Sequence, residues 1–158
     1  SGDADTGTAV FSANGGSITA KQGDMFYITN TSCTIDLTNV NMALANGTLM
    51  TVAGNSSERG WGTEGKNGGA VVFTASDQTL TGNITCDSIS SLDMTLKDGS
   101  SYTGAINTSG QGGTVNVTVG SGSSWTLTGD SYVTGVTNNG TINTNGYTVY
   151  LSDGSTIS

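Results

Sequence analysis

Three segments between Ala70 and Asp130 lie over one another nearly residue for residue. The first is Val72-Phe73-Thr74-Ala75-Ser76-Asp77-Gln78-Thr79-Leu80-Thr81-Gly82-Asn83-Ile84. The second is Met94-Thr95-Leu96-Lys97-Asp98-Gly99-Ser100-Ser101-Tyr102-Thr103-Gly104-Ala105-Ile106, and the third is Val117-Thr118-Val119-Gly120-Ser121-Gly122-Ser123-Ser124-Trp125-Thr126-Leu127-Thr128. Their offsets are 22 and 23 residues. Self-similarity at such a period marks stacked repeats, each burying its apolar face against its neighbours. Apolar residues alternate with Thr, Ser and Asn, the period of strands, and no helical spacing intervenes. About three short strands and three turns fill each repeat, so the fold class is all-β, a parallel β-helix (β-solenoid) with coils of about 22 residues. An immunoglobulin-like sandwich is the competing reading, because short strands with Gly turns also suit it.

Stacking at about 4.8 Å per coil aligns equivalent residues into ladders. Leu80, Tyr102 and Trp125 form one, and Ile84 with Ile106 another. Strand alternation puts the hydroxyl rows Thr79/Ser101/Ser124 and Thr81/Thr103/Thr126 on the opposite, solvent-facing side. Such rows suggest ordered water, but Thr and Ser are ordinary solvent-face strand residues and that simpler reading is favoured.

Outward from this centre, the chain reads as a single domain over residues 1–158. Residues 1–7 are a flexible lead-in, followed by a short strand pair, Ala9-Val10-Phe11 and Ser17-Ile18-Thr19, about Asn14-Gly15-Gly16. A first coil covers Asp24 to Gly47, with Cys33-Thr34 placed where later coils carry Leu80-Thr81. Residues 54–69 break the period as an inserted loop, residues 70–130 are the most regular coils, and a last coil runs from Gly140 to Leu151 before a turn at Ser152–Ser155.

Composition removes several functions. A formal charge of −8 with only Lys21, Arg59, Lys66 and Lys97 as cations leaves no basic face for nucleic acid. No apolar run approaches the about 18 residues of a membrane helix, so membrane insertion is not expected. The chain starts without Met or a signal peptide and is rich in Thr, Ser, Asn and Gly, which reads as a mature or trimmed secreted, cell-surface segment. Cys33 and Cys86 occupy different offsets in the repeat, which favours two buried thiols over a disulfide.

The 54–69 insertion concentrates chemistry on a segment with no strand pattern, where function tends to sit. Trp61 offers a stacking platform for a sugar ring, flanked by Arg59, Glu64, Lys66 and Asn67 as hydrogen-bonding groups. Against this stands a Trp folded back onto the coil, with Arg59 or Lys66 paired to Glu58 or Glu64. Calcium is the one cofactor considered, because Asp carboxylates and turn carbonyls suit a hard cation. Asp77 and Asp98, on one turn edge at nearby but not identical repeat positions, are the candidates, with Asp87, Asp93 and Asp130 elsewhere. Asp in such turns more often caps backbone groups, so no cofactor is the default. With no His, a sole Arg and no third acid beside Asp77 and Asp98, an enzyme is not expected.

The stretches Asn67-Gly68-Gly69-Ala70-Val71-Val72, Gln78 to Ile84, Ser88-Ile89-Ser90-Ser91-Leu92 and Ser124 to Val133 resemble the right-handed β-helix regions of Gram-positive cell-surface adhesins. They are also similar to the clostridial β-helix carbohydrate-binding domain. The resemblance covers about Asp24 to Leu151. It implies a secreted or wall-attached, pectate-lyase-like scaffold that binds polysaccharide or a host or cell-surface glycan, and possible calcium, without cleavage. No metal ligand of that family aligns here, so no residue role carries over. The expectation is a non-catalytic adhesin or carbohydrate-binding module. The alternative is a structural stalk or self-assembling fibre subunit, associating end to end through exposed terminal strands.

Overall fold

The computed structural model describes residues 7–44, 46–54 and 68–158. Strands appear in the order β1 (Gly7–Asn14), β2 (Ser17–Thr19), β3 (Phe26–Ile28), β4 (Thr31–Thr38), β5 (Asn41–Ala43), β6 (Thr48–Val52), β7 (Ala70–Ser76), β8 (Thr79–Thr81) and β9 (Asn83–Cys86). They continue with β10 (Ser91–Lys97), β11 (Ser101–Thr103), β12 (Thr114–Val119), β13 (Ser124–Thr126), β14 (Ser131–Val133), β15 (Gly135–Asn138), β16 (Thr141–Asn143), β17 (Val149–Leu151) and β18 (Thr156–Ile157). No helix occurs among the described residues.

The longest sheet has six parallel strands in the order β1-β4-β7-β10-β12-β15. The chain leaves this sheet and returns to its next position each time. Between visits it contributes to β2-β5 or β16-β13-β11-β8, and then, except between β10 and β12, to β3-β6-β9 or β14-β17-β18. Every pairing between named strands is parallel except β17 with β18, where the last strand turns back. Sequence neighbours do not pair as hairpins through most of the chain, which is incompatible with an immunoglobulin sandwich. The expected pair between β1 and β2 is likewise not formed: β1 pairs with β4, and β2 with β5.

Alternation explains the core. In β7 the burial of Val71, Phe73 and Ala75 alternates with more exposed Ala70, Val72 and Thr74, and β10 repeats this with Leu92, Met94 and Leu96. Leu80, Tyr102 and Trp125 stack in register and are fully buried, with Ile142 as a fourth rung. The two hydroxyl rows lie beside them in the expected register. Each aromatic also finds a polar partner one pass earlier: Tyr102 Oη donates to Gly82 O at 2.8 Å, and Trp125 Nε1 donates to Gly104 O at 3.0 Å. A Cβ on Gly104 would collide with Gly82 O and the Tyr102 hydroxyl, so glycine is required there. Ile84 meets Ile106 through a single bridge instead of a full third strand.

Two alignments change. Met94 pairs with Phe73, not Val72, because the offset is 21 residues in β7–β10 and becomes 22 at Leu80–Tyr102. The difference is one residue of turn: Asp77-Gln78 in one pass, Asp98-Gly99-Ser100 in the next. Cys33 pairs with Val71 in the six-stranded sheet, so Cys33-Thr34 does not stand beside Leu80-Thr81.

Candidate functional site

Trp61, Arg59, Glu64, Lys66 and Asn67 lie outside the described residues. The two ends of that insertion are described, and both are fixed. Ala53 N donates to Ile28 O at 3.0 Å, and Gly54 N donates to Asp87 Oδ2 at 2.8 Å. On the return side Gly69 N donates to Ser90 Oγ at 3.1 Å, and that hydroxyl donates to Asp87 Oδ1 at 2.6 Å. Asp87 Oδ1 also accepts from Ile89 N at 3.3 Å. One carboxylate therefore serves both roots of the insertion, which is charge-assisted capping of backbone donors.

The turn after the six-stranded sheet holds Asp77 and Asp98. Because Ser76 pairs with Lys97, Asp77 and Asp98 occupy identical positions in successive passes, a correction to the offset read from the sequence. Both have left-handed backbone, with φ of 49° and 55°, and Asn39 stands in the preceding pass with φ 51°. Asn and Asp tolerate that conformation better than other residues with a Cβ, which accounts for their recurrence at this corner. Asp130 Oδ1 accepts from Thr148 N at 3.0 Å, and Asp93 faces solvent between Val72 and Asn116. Among the described residues no three His, Cys, Asp or Glu side chains converge on a common point. Asp77 and Asp98 are thus a stacked pair with turn roles, and any cation held there would need backbone or solvent oxygens.

Both cysteines are free. Cys33 lies in β4 and Cys86 at the end of β9, in different sheets. Burial, with the neighbouring Asp87 charge, pushes the Cys86 thiol up to about 12, and burial alone raises Cys33. Neither is an activated nucleophile.

A cleft not foreseen from the sequence lies between β5 and β8. These strands occupy neighbouring passes yet are not hydrogen-bonded, so this side of the molecule divides into two sheets. The cause is Gln78, which is only 2% exposed. Its Oε1 accepts from Val40 N at 2.9 Å and its Nε2 donates to Val40 O at 2.5 Å, replacing a backbone ladder with a side-chain amide. A glutamine amide reaches farther than a backbone group, so it holds the strands apart. In later passes this corner carries Ser100 and Ser123: Ser100 Oγ accepts from Gln78 N at 3.0 Å and Ser123 Oγ accepts from Ser100 N at 3.1 Å, and the strands close up.

The opening has a volume of about 320 Å³ and is lined by Asn39, Asn41 and Asp77 with Thr79 and Thr81, over Val40, Met42, Leu44 and Leu49. A second hollow of about 470 Å³ continues it past Gly82 toward Thr103, sharing Met42, Leu44 and Thr81. The only sequence signal was a Gln where later passes carry Ser, in a turn one residue shorter.

Comparison with known proteins finds no matching family model, no matching curated protein and no matching solved structure.

Proposed function

We propose that the chain is a right-handed parallel β-helix serving as a non-catalytic adhesin or carbohydrate-binding module of an extracellular bacterial surface protein. The observation that carries this reading is the splice at residues 54–69. On either side of it β4 pairs with β7 and β6 with β9 in parallel, as if nothing intervened, while Asp87 and Ser90 hold both roots. A stack that accommodates an insertion without losing its parallel pairing is a scaffold suited to presenting one. Trp61, Arg59, Glu64, Lys66 and Asn67 form the ligand-binding set, with polysaccharide or a cell-surface glycan as partner. A glycan array tests it: wild type binds a defined subset, and Trp61→Ala loses that binding. Absence of binding to every glycan contradicts the reading. Calcium at Asp77 and Asp98 is tested by melting with and without chelator, an unchanged midpoint removing it.

One observation favours a stalk or fibre subunit as a second reading. Among the described residues β1 is an edge strand of the six-stranded sheet, eight residues long, with no charge or Pro in Gly7–Asn14 and with Val10 72% exposed. Unprotected edges of this kind pair with other chains. Light scattering across concentration distinguishes the readings: a chain that stays monomeric is not a self-assembling subunit.

A further inference from the structure

We infer that the cleft between β5 and β8 is a binding site for a neutral saccharide unit, built from residues other than those of the insertion. This deepens the carbohydrate-binding reading and rests on it. In a parallel ladder both backbone groups of one residue face the same neighbouring strand, and the next residue faces the other. Gly82 N donates to Thr103 O and Ser101 N donates to Gln78 O, so the backbone groups of Thr79 and Thr81 face the cleft. Across it, Asn41 N donates to Gly16 O and Ala20 N to Ala43 O, which turns Met42 toward the cleft. Val40 is satisfied by Gln78, whereas Met42, Thr79 and Thr81 have no strand partner on that side among the described residues.

Such groups demand partners, and the wall alternates donors with acceptors. Hydroxyls, which donate and accept, match that alternation better than a carboxylate or an ammonium group. Asn41 and Asp77 add side-chain polar atoms at the rim, while half-buried Met42 and Leu44 provide apolar surface for the C–H face of a pyranose. Among the described residues the sole charge in the lining is the Asp77 carboxylate, which disfavours uronates and sulfated or phosphorylated sugars. A volume of about 320 Å³ is at the small end of ligand cavities, the size for one or two sugar rings. Gln78 spans one end from strand to strand, so a peptide strand has no path through.

The amides of Met42, Thr79 and Thr81 report directly. Amide-resolved NMR titration would use glucose, galactose, mannose, N-acetylglucosamine and their disaccharides, with galacturonate as the charged control. The expected result is saturable shifts at those amides with a neutral sugar, and affinity reduced about three- to tenfold by Asn41→Ala, the loss of one hydrogen bond. Thr79→Val, isosteric and compatible with a strand, provides a second variant that preserves the fold. Silence at those amides with every neutral sugar overturns the proposal. So does an equal response to galacturonate, or affinity unchanged in both variants. Trp61→Ala separates this site from the insertion: array binding that depends on Trp61 with a silent cleft removes the cleft and leaves the broader reading standing. Silence in both experiments removes both.

Discussion

Gln78 shows how one side chain reshapes a repeat. Its buried amide satisfies both backbone groups of Val40, so Gln78→Ala leaves a buried donor and acceptor without partners and costs about 2–4 kcal/mol, read as a lower midpoint in chemical denaturation. Tyr102 and Cys86 make a different prediction. Burial raises both groups, Tyr102 from an ordinary value of 10.0 and Cys86 from 9.0 to about 12. In the unfolded chain they lose protons first, so the folded state binds more protons above pH about 9 and stability falls as pH rises. Melting temperature should therefore be level below that pH and decline toward pH 11, less steeply in the double variant Tyr102→Phe, Cys86→Ala. A thiol-alkylation time course should label half-buried Cys33 before buried Cys86 in the native protein. The sequence carried the cysteine separation, because their repeat offsets differ. It did not carry the Gln78 wedge, since a buried glutamine has no periodic signature and only its distant partner, Val40, gives it meaning.

Ladders, not single strands, are the units of stability among the elements. Tyr102 and Trp125 stack with ring centres 6.2 Å apart, and each donates a hydrogen bond to a glycine carbonyl in the pass before. Trp125→Ala should cost about 3–5 kcal/mol, the largest single loss along this ladder, because it empties a fully buried position between β11 and β16. The ladder was legible because Leu80, Tyr102 and Trp125 recur at nearly constant spacing between hydroxyl residues. The register of β7 was not, because the repeat changes length inside a turn. Placing Val72 opposite Met94 keeps the period regular, whereas the fold shifts by one and buries Phe73, leaving Val72 50% exposed. That same shift brings Asp77 level with Asp98, where left-handed backbone explains both without a ligand.

At the scale of the molecule, parallel pairing continues past the insertion at residues 54–69 and through passes of unequal length, so the stack does not depend on a constant coil length. The candidate residues Trp61, Arg59, Glu64, Lys66 and Asn67 were visible as a break in composition, but a segment without periodicity offers no register from which to infer its shape. The cleft beside β8 was invisible for the opposite reason: its walls are ordinary strand residues, and what makes it a cleft is a pairing that does not form. Everything proposed about binding depends on the parallel stack, which interstrand NOEs test most directly. A parallel stack gives backbone contacts of Met94 with both Phe73 and Val117, and of Tyr102 with both Leu80 and Trp125, in the staggered Hα-to-amide pattern of parallel strands. Close Hα–Hα contacts between strands consecutive in sequence, such as β7 with β8 or β10 with β11, would mark antiparallel hairpins and contradict it.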